Sequence, residues 1–509
     1  MRDTNAEPVG RAILTLAGPA CLTFLLQNAY HINDAWFLGR HGPAATNAMG
    51  LFMFVMITNF GFILALARGT QSLMARRFGA GQRPAAARTL ARGLALAVKV
   101  ALPLAALEWW LAPDLLYAMG GRGEVVVAGT EYLRTLILFM PFLFFAPMLD
   151  FAFQGLGDTV TPFRLGCIGV VVNLVLNVAL VLDELPLHWV VGDVTLLDVV
   201  LPGAGWGAMG AALATGISRT LSPILGFLIM VRRYKLDPLL QRKSYSHDGR
   251  TMREILRVGV PAGSSTLIYG LVAMAVSQVI GRFGQDAFGA YAIGFRGIES
   301  ISFMLVLGLG VATGTVASHA VGAGDLERAR KAGHFGVLLG IGAMLVTMTI
   351  MLVFPEGLAR IFTDEPAIVA ITVTYITTMA FCQVPQALEM IYAEAMAGAG
   401  SSARTAFISL PGNALRVPLA WGLAVGLGWG IQGVWYAILS SAVIKGLGVT
   451  WLFFSGRWEQ GMQAGRLALD HDAQDGPDAL TEPSERAGPG GERDDEGHDD
   501  RKEPAPDVV

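Results

Sequence analysis

The chain has 509 residues, of which 53% are hydrophobic and only 15% are charged. Soluble domains carry about 25% charged residues, so this composition excludes an ordinary soluble protein and indicates an integral membrane protein. The net charge of −3 is uneven, because residues 470–509 hold 14 acidic and 4 basic side chains. The remaining chain holds 26 acidic and 33 basic side chains, an excess that cytoplasmic loops explain without nucleic acid.

Twelve hydrophobic segments follow one another, each about 20 residues long, the length that crosses a bilayer as a helix. We predict spans at residues 12–38, 48–75, 91–112, 131–154, 162–182, 206–231, 254–280, 287–317, 333–354, 367–396, 404–427 and 430–455. Basic residues concentrate in alternate connections, so the positive-inside rule places both termini in the cytoplasm. We therefore predict a multi-pass protein of the inner (cytoplasmic) membrane, in contact with membrane lipids.

The two halves of the chain repeat one another. Pro19 aligns with Pro261 at a shift of 242 residues, and turn motifs repeat at nearly the same shift. The paired turns are Gly79-Ala80-Gly81 with Gly322-Ala323-Gly324, and Gly155-Leu156-Gly157 with Gly398-Ala399-Gly400. Each half has six helices, an even number, so both halves start on the same membrane side and are related by an axis along the membrane normal. The sequence predicts an all-α membrane protein with two homologous six-helix lobes and substrate bound between them.

These features divide the chain into four regions. Residues 1–231 form the N-lobe and residues 254–456 form the C-lobe, joined by a basic, polar cytoplasmic linker at 232–253. Residues 457–509 are rich in Asp, Glu, Gly and Pro, so we predict a disordered acidic cytoplasmic tail. The three cysteines lie far apart in apolar segments, which argues against a disulfide framework or a metal site.

The first predicted span carries polar residues at membrane depth. Gln27, His31 and Asp34 are spaced i, i+4 and i+7, so they share one helical face. A carboxylate inside a membrane is costly and is by default a functional residue. Pro19 lies early in the same span, where it removes a backbone hydrogen bond and favours a bend. This pattern is typical of a proton- or cation-driven transporter; the alternative is a solvated Asp34 at the outer surface.

Two amides in the fifth span extend this hypothesis. Asn173 and Asn177 are spaced i, i+4 and point the same way. Together with Thr215 of the sixth span, they could surround Asp34 with polar atoms that hold a proton, water or Na⁺, a hard cation that prefers oxygen ligands. The alternative interpretation is ordinary interhelical hydrogen bonding.

The second half has different charges. The position aligned with Asp34 is a valine, and acidic residues occur instead at Glu389 and Glu394 in the tenth span. We predict that at least one of these glutamates lines the cavity and attracts cationic substrates. The asymmetry indicates that cation coupling resides in the first half.

Taken together, these features resemble the multidrug and toxic compound extrusion (MATE) family, and within it the DinF-like branch. The resemblance covers about residues 10–458. Its motifs are Pro19, Gln27, Asp34, Gly39 and Gly42, the Gly79-Ala80-Gly81 and Gly155-Leu156-Gly157-Asp158-Thr159 turns, Asn173, Asn177, and the two Gly-Trp-Gly elements. The resemblance implies twelve helices in two lobes around a V-shaped cavity. It also implies export of organic cations and other amphiphiles in exchange for H⁺ or Na⁺.

The resemblance also implies residue roles in coupling. Asp34 would be the coupling carboxylate, helped by Asn173, Asn177 and Thr215, and it would bind Na⁺ if Na⁺ is the coupling ion. Some DinF-like members have an aspartate where this chain has Asn177, which leaves the choice between H⁺ and Na⁺ open.

Two further roles follow from the same resemblance. Pro19 would be the point at which the first helix bends when Asp34 is protonated. Gln27, together with His31 on the same face, would contact the substrate.

We therefore expect a monomeric antiporter that exports small amphiphilic or cationic substrates by alternating access. It would need no cofactor other than H⁺ or Na⁺, and no partner nucleic acid. An enzyme is not expected, because the sequence has no nucleophile elbow, zinc motif or dinucleotide fingerprint. The alternatives are a flippase for lipid-linked precursors or polysaccharides from the related superfamily, and a membrane receptor or scaffold whose acidic tail recruits a partner.

Overall fold

The computed structural model describes residues 4–41, 43–118, 122–191, 194–234 and 249–459. These residues belong to one compact unit, Met1–Arg466. Most of the predicted linker and the predicted tail from residue 460 onward lie outside the described residues.

Helices dominate the described ranges. The α-helices are α1 Val9–His41, α2 Pro43–Gly79, α3 Arg83–Ala118, α4 Glu124–Ile137, α5 Met140–Gly155, α6 Val160–Leu180, α7 Gly207–Tyr234, α8 Gly249–Gly281, α9 Gln285–Ala292, α10 Ser300–Gly322, α11 Leu326–Val353, α12 Pro355–Arg360, α13 Pro366–Ala380, α14 Gln383–Gly398, α15 Ser402–Ala414, α16 Arg416–Trp421 and α17 Gly430–Phe454. Two π-helical segments, Ile293–Glu299 and Gly422–Gly426, continue α9 into α10 and extend α16.

The helices account for the predicted order of spans. Eight of the helical stretches in the described ranges are individually long and apolar enough to cross a membrane. Two further spans are bent pairs, since α4 meets α5 at 60° and α13 meets α14 at 49°. Helix α2 and the series α15–α16 with its π segment occupy the two remaining positions in the chain order.

The internal repeat is visible in the backbone. Gly81 and Gly324 have φ values of 77° and 81°, and Gly157 and Gly400 have values of 75° and 85°. This left-handed conformation strains a residue with a Cβ atom, so glycine is required at these turns. The two bent pairs also stand at equivalent places in the two halves, so turns and bends repeat together.

A β-hairpin separates α6 from α7. Strand β1 (Glu184–Val191) pairs antiparallel with β2 (Val194–Pro202), with an irregular register between Trp189 and Val190. The hairpin makes this connection longer than its counterpart in the second half, so the Gly-Trp-Gly elements at 205–207 and 428–430 are 223 residues apart rather than 242.

A partly buried aspartate joins the ends of two N-lobe helices. Asp158 accepts hydrogen bonds from the backbone N–H groups of Val160 and Thr161, at 3.1 and 3.0 Å, and from the Tyr234 hydroxyl. Burial alone would raise the pKa of Asp158, but the hydrogen bonds from Thr161 and Tyr234 outweigh burial and hold that pKa below its ordinary value. The start of α6 is thereby tied to the end of α7.

The lobes touch mainly through helices α1 and α2 of the N-lobe. Helix α2 packs on both α8 and α10, and α1 packs on α10. The α2–α8 contact is backbone to backbone, because a Cβ atom on Gly259 would overlap the carbonyl oxygen of Ala65, and one on Gly69 would overlap that of Ile255. Small residues permit this close approach between membrane helices.

Polar side chains join the lobes at the end of the bundle that carries the basic connections. His319 of α10 donates through Nε2 to the Gly155 carbonyl oxygen at 2.7 Å, and its Nδ1 lies 2.6 Å from Oγ1 of Thr4. Ser72 of α2 donates to the carbonyl oxygen of Ala397 at 2.8 Å. The lobes are therefore sealed at the end that the sequence predicts to be cytoplasmic.

Two predicted boundaries need correction. The predicted tail start at 457 is three residues too early, because Arg457–Glu459 forms a short 3₁₀ helix whose Trp458 is only 1% exposed. The Trp458 ring stacks on Phe453, and its carbonyl oxygen accepts a hydrogen bond from Ser401 at 2.7 Å. The predicted linker is too wide, because α7 continues to Tyr234 and α8 starts at Gly249.

We predict that Gly259→Ala separates α2 from α8. The added methyl group has no room against the Ala65 carbonyl, and overpacking of this kind costs about 1–3 kcal/mol. Thermal unfolding in detergent should therefore occur at lower temperature than for wild type. Gly281→Ala is the matched control on the same helix, because a Cβ atom there meets nothing within 4 Å. Equal melting temperatures for both variants would contradict the close approach.

Candidate functional site

Asp34 lies in the interior of the N-lobe, with 3% of its surface exposed. Its Oδ1 accepts hydrogen bonds from Nδ2 of Asn177 at 2.8 Å and from Nδ2 of Asn173 at 3.2 Å. Its Oδ2 accepts a hydrogen bond from Oγ1 of Thr215 at 2.6 Å. Three helices, α1, α6 and α7, thus converge on one carboxylate.

The helix geometry explains this convergence. Asn173 and Asn177 are one turn apart on α6, so both amides point toward α1. Asn33 donates from Nδ2 to Oδ1 of Asn173 at 2.7 Å, which orients the Asn173 amide so that its N–H₂ group faces Asp34 and Thr215. These hydrogen bonds hold the Asn173 amide in one orientation.

The contacts to Asp34 are all donors, which suits an ionised carboxylate. Hydrogen bonds to a charged group each contribute about 1.5–3 kcal/mol, and a buried carboxylate without them would be very unfavourable. Oδ1 of Asn177 is buried and has no hydrogen-bond partner among the described residues. The site therefore contains an unused acceptor next to the acid.

A second layer lies one helical turn toward the start of α1. Tyr30, Gly169 and Arg219 are each four residues from a member of the Asp34 site, on α1, α6 and α7 respectively. The Arg219 guanidinium lies 4.5 Å from the centre of the Tyr30 ring, and a Cβ atom on Gly169 would overlap the Tyr30 hydroxyl. Arg219 is close enough to interact electrostatically with both Asp34 and Asp150. This layer places a positive charge beside the buried acid.

Other predicted residues of α1 stand apart from this cluster. Pro19 lies inside α1, which is continuous from Val9 to His41, and its carbonyl oxygen accepts a hydrogen bond from Thr23 at 2.8 Å. Gln27 is partly buried. The side chain of His31 lies outside the described part of the structure.

The two glutamates predicted to attract substrate are both in ion pairs in the C-lobe helix α14. Glu389 lies 2.8 Å from Nζ of Lys445 and accepts a hydrogen bond from Ser409 at 2.8 Å. Glu394 lies 2.6 Å from Nη1 of Arg68, which belongs to α2 of the other lobe. The structure therefore does not bring these glutamates together with Asp34.

The sequence reasoning missed several buried polar residues. Arg68, Lys445 and the pair Asn59–Glu108, whose Nδ2 and Oε2 atoms are 3.3 Å apart, were not among the candidates. Each lies inside a predicted span, so a list of every charged residue within the spans would have found the three charged ones. The sequence did not show which glutamate pairs with which basic residue, because the partners are up to 326 residues apart.

Within the described ranges, no cluster contains three or more His, Cys, Asp or Glu side chains that could hold a metal ion. Asp34 would be the carboxylate ligand of any Na⁺ bound here, and the remaining ligands would be neutral oxygens.

Comparisons with known proteins agree with the repeat. A family model described as MatE matches residues 19–179 and again residues 261–421, the same shift that aligns Pro19 with Pro261. The chain is 26% identical to the multidrug resistance protein PmpM of Pseudomonas aeruginosa, over 83% of each chain. It is 29% identical to the probable multidrug resistance protein NorM of Pseudomonas putida, over 87% of this chain and 94% of that protein.

Solved structures share the fold. A MATE structure in the bent conformation superposes with a TM-score of 0.80 at 20% identity, covering 91% of this chain and 99% of the other. A multidrug resistance MATE family transporter in an outward-facing conformation gives a TM-score of 0.77 at 20% identity, covering 91% and 97%. The predicted fold of twelve helices in two lobes is confirmed, whereas the DinF-like branch stays a prediction.

The two matched repeats span more than half of the chain, and they coincide with the two lobes described above. The relatives and structural neighbours named here are transporters, not enzymes. This chain is an integral membrane protein and belongs to the MATE family of transporters.

Proposed function

We propose that this protein is a proton-driven antiporter that exports organic cations and other amphiphilic drugs across the cytoplasmic membrane by alternating access. The observation that carries the proposal is the buried Asp34 with hydrogen-bond donors from two other helices. The relatives named as multidrug resistance proteins support the substrate class. We further propose that both termini are cytoplasmic and that the protein acts as a monomer.

The donors around Asp34 favour H⁺ over Na⁺ as the coupling ion. Sodium needs several oxygen ligands, but Asn173 and Asn177 turn their N–H groups toward the carboxylate. A proton needs only the carboxylate oxygen itself, and the resulting O–H group must then donate to an acceptor. The unused Oδ1 of Asn177, brought round by rotation of its amide, provides that acceptor.

Protonation would disturb the contact between α1, α6 and α7. Neutral Asp34 accepts weaker hydrogen bonds than the ion and must place a hydrogen where Asn177 or Thr215 now donates. The contacts that hold α1 to its two neighbours would weaken as a result. Proton binding at one carboxylate is thereby converted into a change in helix packing.

Helix α1 carries this change to the other lobe. Its second half holds Asp34 inside the N-lobe, while its first half packs on α10 of the C-lobe, where Cys21 Sγ donates to the Leu305 carbonyl oxygen at 3.3 Å. Pro19 lies within this first half, so a bend there would alter the interlobe contact. Exchange then requires that proton and drug prefer different states of the two lobes.

We predict that Asp34→Asn abolishes drug efflux. In proteoliposomes with a proton gradient, acidic on the side that is external in the cell, wild type should move ethidium, and the variant should be slower by at least tenfold. An amide at position 34 cannot be protonated at neutral pH, so no proton cycle remains. Transport of ethidium by the variant at the wild-type rate would remove Asp34 from the mechanism.

The same assay separates the competing functions. A Na⁺ gradient without a pH gradient should drive no efflux. Efflux that occurs only under the Na⁺ gradient would show that Na⁺, not H⁺, is the coupling ion. Failure of wild type to move any amphiphilic cation under either gradient would reject the drug antiporter and favour the flippase for lipid-linked precursors.

We predict that Asn177→Asp creates sensitivity to Na⁺. A second carboxylate would replace the amide that now lies 2.8 Å from Asp34. The repulsion between two like charges at this distance is relieved by a shared proton at low pH and by a bound cation at alkaline pH, where the measurement is made. The thermal unfolding temperature of the variant should rise with NaCl but not with choline chloride. Wild type should respond equally to the two salts, and a Na⁺-specific rise in wild type would contradict proton coupling.

A further inference from the structure

We propose that Glu394 exchanges partners during transport. It pairs with Arg68 while the cytoplasmic end is closed, and it binds the positive charge of the drug when that end opens. The inference rests on the proposed export of organic cations and adds a specific site, with Arg68 acting as an internal substitute for the substrate.

The ion pair crosses the boundary between the lobes. Arg68 of α2 and Glu394 of α14 are joined at 2.6 Å, and their side chains are only 9% and 21% exposed. The second buried pair of α14 differs, because Glu389 and Lys445 both belong to the C-lobe. Movement of the lobes must therefore break the first pair and leave the second intact.

Each partner is held by its own lobe. The guanidinium carbon of Arg68 lies 4.6 Å from the centre of the Phe151 ring on α5, an arrangement in which an aromatic face attracts a cation. Glu394 lies against α10, where a Cβ atom on Gly310 would come within 3.0 Å of Glu394 Cγ. Separation of the lobes would thus carry Arg68 away with Phe151 and leave Glu394 in place on the C-lobe.

The closed state has no room for a drug beside this pair. The cavity there has a volume of about 30 Å³, which holds a few water molecules at most, and it is lined by residues of α2, α8, α10 and α14. Its walls include the apolar side chains of Val258, Ala262 and Val311. Once Arg68 withdraws, Glu394 would be an unpaired carboxylate on a largely apolar wall.

An unpaired carboxylate in such surroundings is costly, which favours binding of another cation. An amphiphilic organic cation supplies both the charge for Glu394 and apolar surface for the wall around it. When the cytoplasmic end closes again, Arg68 returns and competes for the same carboxylate. Closure and release of the drug are thereby one event, and neutral amphiphiles would not depend on Glu394.

Binding of tetraphenylphosphonium to the purified full-length protein tests the exchange. By titration calorimetry in detergent, Arg68→Gln should bind this cation at least tenfold more tightly than wild type, because its competitor is gone. Glu394→Gln should bind at least tenfold more weakly, and the double variant should match Glu394→Gln. Arg68→Lys retains the positive charge and should remain near wild type.

The conformation is measured in parallel with spin labels at the cytoplasmic ends of the two lobes. Arg83→Cys and Leu326→Cys are exposed positions for the labels, in a background without the three native cysteines. Arg68→Gln should shift the population toward longer distances between the labels. The double variant Arg68→Glu with Glu394→Arg keeps an ion pair with its charges exchanged. It should restore the wild-type distance between the labels, while its affinity for tetraphenylphosphonium stays low.

Lys445→Gln is the matched control, because it also removes the cation from a buried glutamate of α14, but within one lobe. It should leave the distance distribution unchanged. Wild-type affinity and wild-type distances in Arg68→Gln would overturn the proposal and reduce the ion pair to a structural contact. The variants could also bind tetraphenylphosphonium in the expected order while the wild-type protein transports no cation in proteoliposomes. That result would reject the antiporter but support the exchange of partners by Glu394.

Discussion

The structure depends on one constraint, which is that a carboxylate buried in a membrane protein must receive hydrogen bonds from its neighbours. Asp34 meets this requirement by drawing α6 and α7 toward α1 through Asn173, Asn177 and Thr215. The arrangement of three helices in the N-lobe is therefore tied to the hydrogen bonds received by a single carboxylate. A change at that group cannot remain local, because the hydrogen bonds that satisfy the ion are also the contacts between helices.

The connection of this site to the rest of the molecule runs through α1. Its start, with the preceding residue Thr4, belongs to the sealed end of the bundle, where His319 of the C-lobe bonds to both Thr4 and Gly155. Its far half lies in the N-lobe with Asp34. Helix α1 thus contacts both lobes.

The two halves share backbone architecture but divide the chemistry. The paired turns at Gly81 and Gly324 have nearly the same dihedral angle, yet the acid of the first half has no equivalent in the second. In the C-lobe both glutamates of α14 are neutralised by cations, one from its own lobe and one from across the interface. The two halves therefore share one backbone scaffold but carry different buried charges.

By itself the sequence determined the order of twelve spans, the two-lobe repeat and the candidate site, because hydrophobic length and helical spacing are local properties of the chain. The i, i+4 spacing of Asn173 and Asn177 was enough to predict that both amides lie on one face of their helix. The tertiary structure decided what depends on distant residues. It paired Arg68 with Glu394 and buried Trp458 in the C-lobe beyond the predicted boundary. It also joined the lobes at the predicted cytoplasmic end through contacts such as that of His319. Spacing along the chain specifies the direction in which a side chain points, but its partner is set by how separate helices pack, and hydrophobic pattern does not encode that choice.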